Sequence, residues 1–201
     1  GNTLPRIALA APTGRAAERM AESLRRAVAT MADDGIDAAL LDALPTQAST
    51  LHRLLGTIPD SPRFRHNKDN PLPFDIVVVD EASMVDLAMM AKLLDALPAN
   101  GRLILLGDKD QLCAVEAGAV FAELCDGRGF NASAAADLQR LTGQSVAVEA
   151  PTSMLGDAVV LLTHSHRFAG DSGIGELARR INGGAARGTL SLLQEGRSDL
   201  H

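Results

Sequence analysis

Short apolar runs alternate along the chain with segments in which apolar residues recur at helical spacing. Four runs predict buried strands, because they are rich in Ala, Ile, Leu and Val: 6–11, 75–79, 102–106 and 158–163. Helical spacing predicts helices over 15–31, 85–97, 117–125, 131–142, 173–182 and 187–194. The alternation predicts an α/β fold, in which helices flank a parallel sheet.

Two stretches interrupt this alternation. Residues 57–73 are polar and contain several Pro and basic residues, which predicts a surface loop or small insertion. Residues 143–157 predict a second irregular connection. Both stretches are therefore expected to lie outside the sheet.

Composition narrows the class of protein. The chain has 201 residues, of which 46% are hydrophobic and 22% charged, as in ordinary globular domains. A net charge of −6 excludes a uniformly basic DNA-binding module, so any DNA contact must be local or shared with parts outside this chain. Five Phe and no Tyr or Trp leave few rings for base stacking. Cys113 and Cys125 form no metal-ligand pattern. Neither an apolar run of membrane-spanning length nor a signal peptide is visible. These features together predict a cytoplasmic protein.

Two adjacent carboxylates, Asp80 and Glu81, directly follow the apolar run at 75–79. Ligands of α/β proteins bind at the carboxyl ends of strands, and an Asp there can hold Mg²⁺ through water. The neighbouring Glu can deprotonate a water that attacks a phosphoryl group. This is the Walker B pattern. The alternative is a helix N-terminus, where the helix dipole favours acidic side chains.

The next strand run ends in a similar way. Gly107 is expected to let the backbone turn sharply out of the strand, after which Asp108 and Gln111 lie at the same sheet edge as Asp80. A neutral amide such as Gln111 can form a hydrogen bond to the γ-phosphate of a nucleotide. The alternative is an ordinary Gly-Asp turn.

Polar residues also lie where helices are predicted to begin. Thr13 or Gly14 could cap the helix after the first strand, and backbone N–H groups there could hold a DNA phosphate. Thr50 and His52 lie at another predicted helix start, and for the lone His a structural role is the alternative. In the run HSHRF, the planar guanidinium of Arg167 suits a phosphate better than the two His suit a metal.

Five segments resemble, in order, the motifs of superfamily 1 DNA helicases. They are APTGRAAERM (motif Ia), ASTLHRLLG (the next DNA-contacting motif), VVVDEASMVD (II), LLGDKDQLCAVEAGAVF (III) and LLTHSHRF (IV). DEASMVD and GDKDQL are similar to the 5′–3′ branch, and the tract from NPLPFD to VEAGAVF is similar to the RecD family, the alpha subunits of exodeoxyribonuclease V. RecD2 relatives tend to show Pro where this chain has Cys113.

The resemblance implies roles for individual residues. Asp80 would hold Mg²⁺ through water, with Asp108 also at the ATP site, and Glu81 would be the catalytic base. Gln111 would sense the γ-phosphate of ATP, and Arg167 would contact it across the cleft between motor domains. Single-stranded DNA would be contacted by Pro12, Thr13, Gly14, Arg15, Thr50 and His52.

The resemblance also implies a RecA-like fold of the P-loop NTPase type. No G-x-x-x-x-G-K-[ST] motif occurs in the chain, and the family places that loop just before the first matching segment. The chain is thus expected to be a fragment whose sheet is incomplete, because the P-loop strand and helix are missing. Residues 1–168 would form the central and C-terminal part of the first motor domain, and 169–201 a helical segment leading toward the second.

The parent protein would be an ATP-dependent 5′–3′ helicase subunit that acts with RecB and RecC on DNA ends in break repair, and the isolated chain would be inactive. The alternatives are a stand-alone RecD2-like helicase and a degenerate ATPase domain that serves as a docking module. The missing P-loop strand is expected beside strand 75–79. Its absence would leave a sticky apolar edge, through which the fragment would rearrange or self-associate.

Overall fold

The computed structural model of the chain describes residues 4–109, 118–162, 172–195 and 199. The chain divides into two compact units, Gly1–Asp126 and Gly127–His201, and each is described by itself. Among the described residues, no helix is long and apolar enough to cross a membrane. The predicted boundary at residue 168 lies outside the described residues and stays a prediction.

The first unit contains a four-stranded sheet in which all neighbouring strands are parallel. Its strands are β1 (Ile7–Ala11), β2 (Ser49–Thr50), β3 (Ile76–Val79) and β4 (Arg102–Leu105). Their order is β2-β1-β3-β4. The predicted α/β parallel sheet flanked by helices is confirmed.

The sheet order corrects one expectation. β3 pairs with β1 on one side and with β4 on the other, so no open position lies beside it. Within the described part of the chain, the unpaired edge on that side belongs to β4, where Ile104 is 46% exposed and Leu106 is 44% exposed. An apolar edge therefore exists, but at a different strand from the one predicted. Self-association through it stays a prediction.

Five helices in the described part of the first unit accompany the sheet. They are α1 (Gly14–Asp33), α2 (Ala38–Asp42), α3 (Leu51–Leu55), α4 (Leu87–Asp95) and α5 (Gly118–Leu124). The helices predicted over 15–31 and 117–125 are confirmed over their described residues. The helix predicted over 85–97 begins later, because Ala82–Met84 form a separate 3₁₀ turn and Asp86 caps α4 by accepting the N–H of Met89 at 2.7 Å.

The core of the first unit lies between one face of the sheet and the helices α3, α4 and α5. Strand residues on this face alternate with those on the other, as a pleated strand requires. The buried cluster consists of Ala8, Ala10, Leu51, Leu55, Leu72, Val77, Val79, Ala82, Val85, Met90, Leu93, Ala96 and Phe121. On the opposite face α1 packs against β1 through Ala17 and Ala21, whose small side chains allow a close approach. The sheet is thus clamped between helices around β1.

Residues 57–73 form the predicted surface loop. Two isolated antiparallel bridges, Thr57 with Phe64 and Asn67 with Asn70, give the loop internal order. Leu72 is buried, which attaches the end of the loop to the core. The loop therefore packs as part of the first unit and does not project away from it.

The second unit contains α6 (Ala132–Thr142), α7 (Gly173–Asn182) and α8 (Ala186–Gln194), which confirms the helices predicted there. The strand predicted over 158–163 is wrong for its described residues. Gly156–Ala158 form a 3₁₀ turn, and 159–162 pair with no described strand, with Leu162 86% exposed. An apolar run makes a strand only where another strand satisfies its backbone hydrogen bonds. Residue 163 lies outside the described residues.

Candidate functional site

The strands of the first unit end along one edge of the sheet, and most of the predicted site residues lie there. β1 leads into Thr13, β2 ends at Thr50, β3 leads into Asp80 and β4 leads toward Asp108. Neighbouring strands are about 4.8 Å apart, so the sheet order divides this edge into two halves. The hydroxyl half lies on β2 and β1, and the carboxylate half lies on β3 and β4. Asp108 and Asp80 share one edge, as predicted.

Asp80 is held in place by backbone hydrogen bonds that continue the ladder beyond β3. Its N–H donates to the carbonyl oxygen of Ala10 at 2.9 Å, and its Oδ1 accepts the N–H of Glu81 at 2.9 Å. On the other side the N–H of Ala82 donates to the carbonyl oxygen of Leu106 at 2.8 Å. Asp80 is half-buried, and these hydrogen bonds fix its backbone between β1 and the end of β4. This rigidity suits a ligand that must meet a metal-bound water.

Glu81 has a left-handed backbone, with φ 53° and ψ 38°. Asp60, in the loop over 57–73, is the other non-glycine residue with positive φ in the described part of the chain. For an L residue this conformation costs about 1–2 kcal/mol, and it persists only where the surroundings impose it. The buried residues Ala82 and Ser83 follow directly and impose it here. Such strain is common at functional positions, so Glu81 is a candidate for one.

Gly107 lies in close contact with two neighbouring groups. A Cβ at this position would lie 3.1 Å from the ring of Phe121 and 3.1 Å from the backbone nitrogen of Ser83. From the sequence, Gly107 is expected to supply a sharp turn. The structure instead shows that the missing side chain lets the end of β4 approach the turn that follows Asp80. Asp108 then lies exposed at the edge.

The hydroxyl half contains two helix caps. Oγ1 of Thr13 accepts the N–H of Ala16 at 3.2 Å, and Oγ1 of Thr50 accepts the N–H of Arg53 at 3.2 Å. The capping alternative raised by the sequence is therefore confirmed for Thr13, and the structure shows Thr50 as a second cap. Capping uses a hydroxyl only as an acceptor, so each hydroxyl can still donate to a phosphate. The two interpretations are compatible.

An open groove of about 380 Å³ lies between α1 and the segment formed by β2 and α3. Gly14 and Thr50, two predicted DNA-contacting residues, line it together with Arg25 and Arg53. Sequence reasoning missed Arg25, which donates to the carbonyl oxygen of Thr46 at 3.2 Å. Helical spacing could have predicted that Arg25 lies beside Gly14, because positions 14, 18, 21 and 25 share one face of α1. Arg15 and His52 are exposed near this groove's two helix starts.

Two predicted residues, Gln111 and Arg167, lie outside the described residues. Among the described residues, no group of three or more His, Cys, Asp or Glu side chains could hold a metal directly. A Mg²⁺ held by Asp80 through water needs fewer protein ligands, because Mg²⁺ keeps several of its waters. The carboxylate half fits such an ion, whereas the sequence contains no G-x-x-x-x-G-K-[ST] loop to bind the phosphates of ATP.

Comparison with known proteins agrees with the motifs. RecBCD enzyme subunit RecD of Haemophilus influenzae is 44% identical over 198 residues, which cover 97% of this chain and 31% of that protein. The ATP-dependent RecD2 DNA helicase of Deinococcus radiodurans is 42% identical over 112 residues, covering 56% of this chain and 13% of that protein. The crystal structure of Bacteroides sp Pif1 in complex with ADP-AlF4 is 21% identical and covers 61% of this chain and 27% of that chain, with a TM-score of 0.31, too low to support an argument.

These matches confirm the similarity to RecD that the motifs predicted. The chain spans about 30% of the length of the curated RecD subunits it matches. The family model described as an AAA domain matches residues 2–117, more than half of the chain. The chain therefore belongs to the AAA domain family.

Proposed function

We propose that the chain is part of an ATP-dependent DNA helicase of the RecBCD type, which translocates 5′ to 3′ on single-stranded DNA. The observation that carries the proposal is the divided sheet edge. Asp80 and Asp108 form one half, and the helix caps Thr13 and Thr50 form the other. An enzyme that couples ATP hydrolysis to movement on DNA needs both kinds of site close together on one rigid element.

The carboxylate half would serve the nucleotide. Bound Mg²⁺-ATP supplies the phosphoryl group and neutralises its charge. Asp80 would hold the ion through water, Glu81 would accept a proton from the attacking water, and Asp108 would lie beside them. Gln111 and Arg167 are proposed to contact the γ-phosphate on the strength of their motifs alone. The sequence contains no phosphate-binding loop, so we propose that this chain on its own does not hydrolyse ATP.

The hydroxyl half would serve single-stranded DNA. Gly14 and Arg15 begin α1 behind Pro12 and Thr13, where the N–H groups of the first turn have no partner within the helix. Such groups bind phosphate readily. Thr50 and His52 would extend the track onto α3. Phosphate contacts of this kind fix the position of a strand without reading its sequence, as a translocating enzyme requires.

The decisive experiment uses Glu81→Gln in the full-length protein. Loss of the proton acceptor should reduce DNA-stimulated ATP hydrolysis by at least 100-fold, the order that general base catalysis contributes, while nucleotide binding stays near wild type. Asp60→Asn is the matched control, because it neutralises a carboxylate that has the same backbone conformation outside the sheet edge. Near-normal hydrolysis by Glu81→Gln would refute the assignment.

Unwinding assays and purification test the remaining parts. A duplex with a 5′ single-stranded tail should be unwound and one with a 3′ tail should not. Co-purification with RecB-type and RecC-type subunits would support the exodeoxyribonuclease V role in break repair, in the cytoplasm. Unwinding without such partners would favour a stand-alone RecD2-like helicase. A full-length protein that binds partners but neither binds nor hydrolyses ATP would favour the docking module.

A further inference from the structure

The loop over 57–73 is attached to the rest of the first unit at its middle and near its C-terminal end. The N–H of Arg65 donates to the carbonyl oxygen of Gly56 at 2.8 Å. The N–H of Leu72 donates to the carbonyl oxygen of Ala96 at 2.7 Å, and the Leu72 side chain is buried. These anchors hold the loop against the rest of the first unit.

Phe64 lies in this loop between two helices. Its ring meets the imidazole of His52 in α3 edge to face, with the centroids 5.7 Å apart. Nζ of Lys92 in α4 lies 5.3 Å from the Phe64 centroid and donates to the carbonyl oxygen of Pro62 at 3.1 Å. The contacts therefore hold an imidazole, a phenyl ring and an ammonium group together.

A groove of about 340 Å³ opens beside these side chains. We call it the Phe64 groove, and its lining includes His52, Arg63, Phe64, Asp86, Met89 and Lys92. An ammonium group has three N–H donors, and Lys92 uses one of them on Pro62. The Arg63 side chain makes no hydrogen bond or ion pair with the residues that the structure describes. Both cations can therefore bind an anion in the groove.

Cations outnumber acids on this surface, although the whole chain has a net charge of −6. The loop over 57–73 contains three Arg and Lys residues against two Asp. In the groove lining, Arg63 and Lys92 face one acid, Asp86, whose Oδ1 already accepts the N–H of Met89. A concave and locally positive surface on an acidic protein attracts phosphate groups.

The Phe64 groove reaches the helix that follows the hydroxyl half of the sheet edge. Thr50 caps α3, and His52 in the first turn of the same helix lines the groove. We propose that the Phe64 groove is a second binding site for the backbone of single-stranded DNA, in which Arg63 and Lys92 each bind a phosphate. This inference rests on the proposed function, because it extends the DNA track that Thr13 and Thr50 begin.

The test removes one cation at a time and measures binding of an oligo(dT) strand over a series of salt concentrations. Each phosphate contact contributes about 0.7 to the slope of log K against log salt concentration. Arg63→Gln and Lys92→Gln should each lower the slope by about that amount and weaken binding about two- to fivefold at moderate salt. Lys68→Gln is the matched control, because it removes a cation of the same loop that lies outside the groove lining, and should leave the slope unchanged.

Two further variants separate a phosphate contact from damage to the loop. Lys92→Arg keeps a cation over Phe64 and should restore the slope. Arg63→Gln removes no anchor of the loop, so its thermal unfolding should match wild type.

Each outcome decides something. Unchanged slopes for Arg63→Gln and Lys92→Gln, with normal DNA binding by the wild type, would overturn the groove and leave the proposed function standing. An equal loss for Lys68→Gln would also overturn it, because the loop's overall charge would then explain the effect. Losses seen with oligo(U) and not with oligo(dT) would contradict the assignment to DNA. A wild-type protein that binds no oligo(dT) would refute both proposals.

Discussion

The left-handed backbone of Glu81 allows a direct test of strain at the carboxylate half. This conformation, with φ 53° and ψ 38°, costs an L residue about 1–2 kcal/mol, because Cβ approaches the following carbonyl oxygen. Gly has no Cβ and adopts the conformation freely, but its unfolded state gains about 0.5–1 kcal/mol from greater chain entropy. We therefore expect Glu81→Gly to raise the free energy of unfolding by about 0.5–1 kcal/mol.

The assay compares three variants by urea unfolding. Far-ultraviolet circular dichroism follows the transition, since the chain has no Trp or Tyr for fluorescence. Glu81→Ala removes the carboxylate but keeps Cβ, so its stability should stay near that of the wild type. Asp60→Gly is the backbone control, because Asp60 has φ 56° in a loop outside the sheet edge. It should gain a similar amount of stability as Glu81→Gly.

Stability and ATP hydrolysis test two different parts of the reasoning. If Glu81→Gly is no more stable than Glu81→Ala, the backbone at this position is not strained and the argument from conformation is refuted. If Glu81→Gly in the full-length protein still hydrolyses ATP at a normal rate, the carboxylate is not the base. Higher stability together with lost hydrolysis is the result that supports both.

Three further predictions concern stability. Gly107→Ala should lower the free energy of unfolding in urea by about 1–3 kcal/mol, because the added Cβ would lie 3.1 Å from the Phe121 ring and from the backbone nitrogen of Ser83. Gly14→Ala is the control and should leave stability unchanged, because nothing lies within 4 Å of its added Cβ. Arg6 donates to the Asp75 carboxylate and lowers the pKa of Asp75. The stability lost in Asp75→Asn should therefore be constant above the unfolded pKa of about 4 and disappear as pH falls through the lower folded pKa. Thermal unfolding of both proteins across acidic pH measures this difference. Thr50→Ala should cost about 1 kcal/mol through loss of the α3 cap, whereas Thr50→Ser should retain most of it; equal stability of the two would contradict a capping role.

The fold could be predicted from sequence wherever a signal was local. The apolar runs that became β1, β3 and β4 are bounded by polar residues and lie in the sheet, so composition sufficed. β2 has two residues, too few for any periodicity to show. The run at 158–163 has the same composition as a strand, yet strand formation depends on a partner elsewhere in the chain, which composition does not encode.

The candidate site was predicted to the same extent. Asp80 and Asp108 follow their strands at the same edge of the sheet, because parallel strands end on one side. This rule can be applied from sequence alone. The order of the strands does need them, and the expected gap beside β3 was therefore misplaced. The meeting of Phe64 with Lys92 depends on how a loop folds back over two helices. No local pattern announces such a contact.

The hydrogen-bonded pairing of β1 with β3 has a consequence for movement. Thr13 follows β1 and Asp80 follows β3, and the two strands share a continuous ladder from Ile7 with Ile76 to Ala10 with Val79. Sliding one strand past the other would break the whole ladder and turn core side chains outward. The nucleotide and DNA contacts that we propose on this sheet would therefore move together as one rigid unit. In the proposed helicase, movement of DNA relative to the nucleotide would therefore require a second body that moves against this sheet.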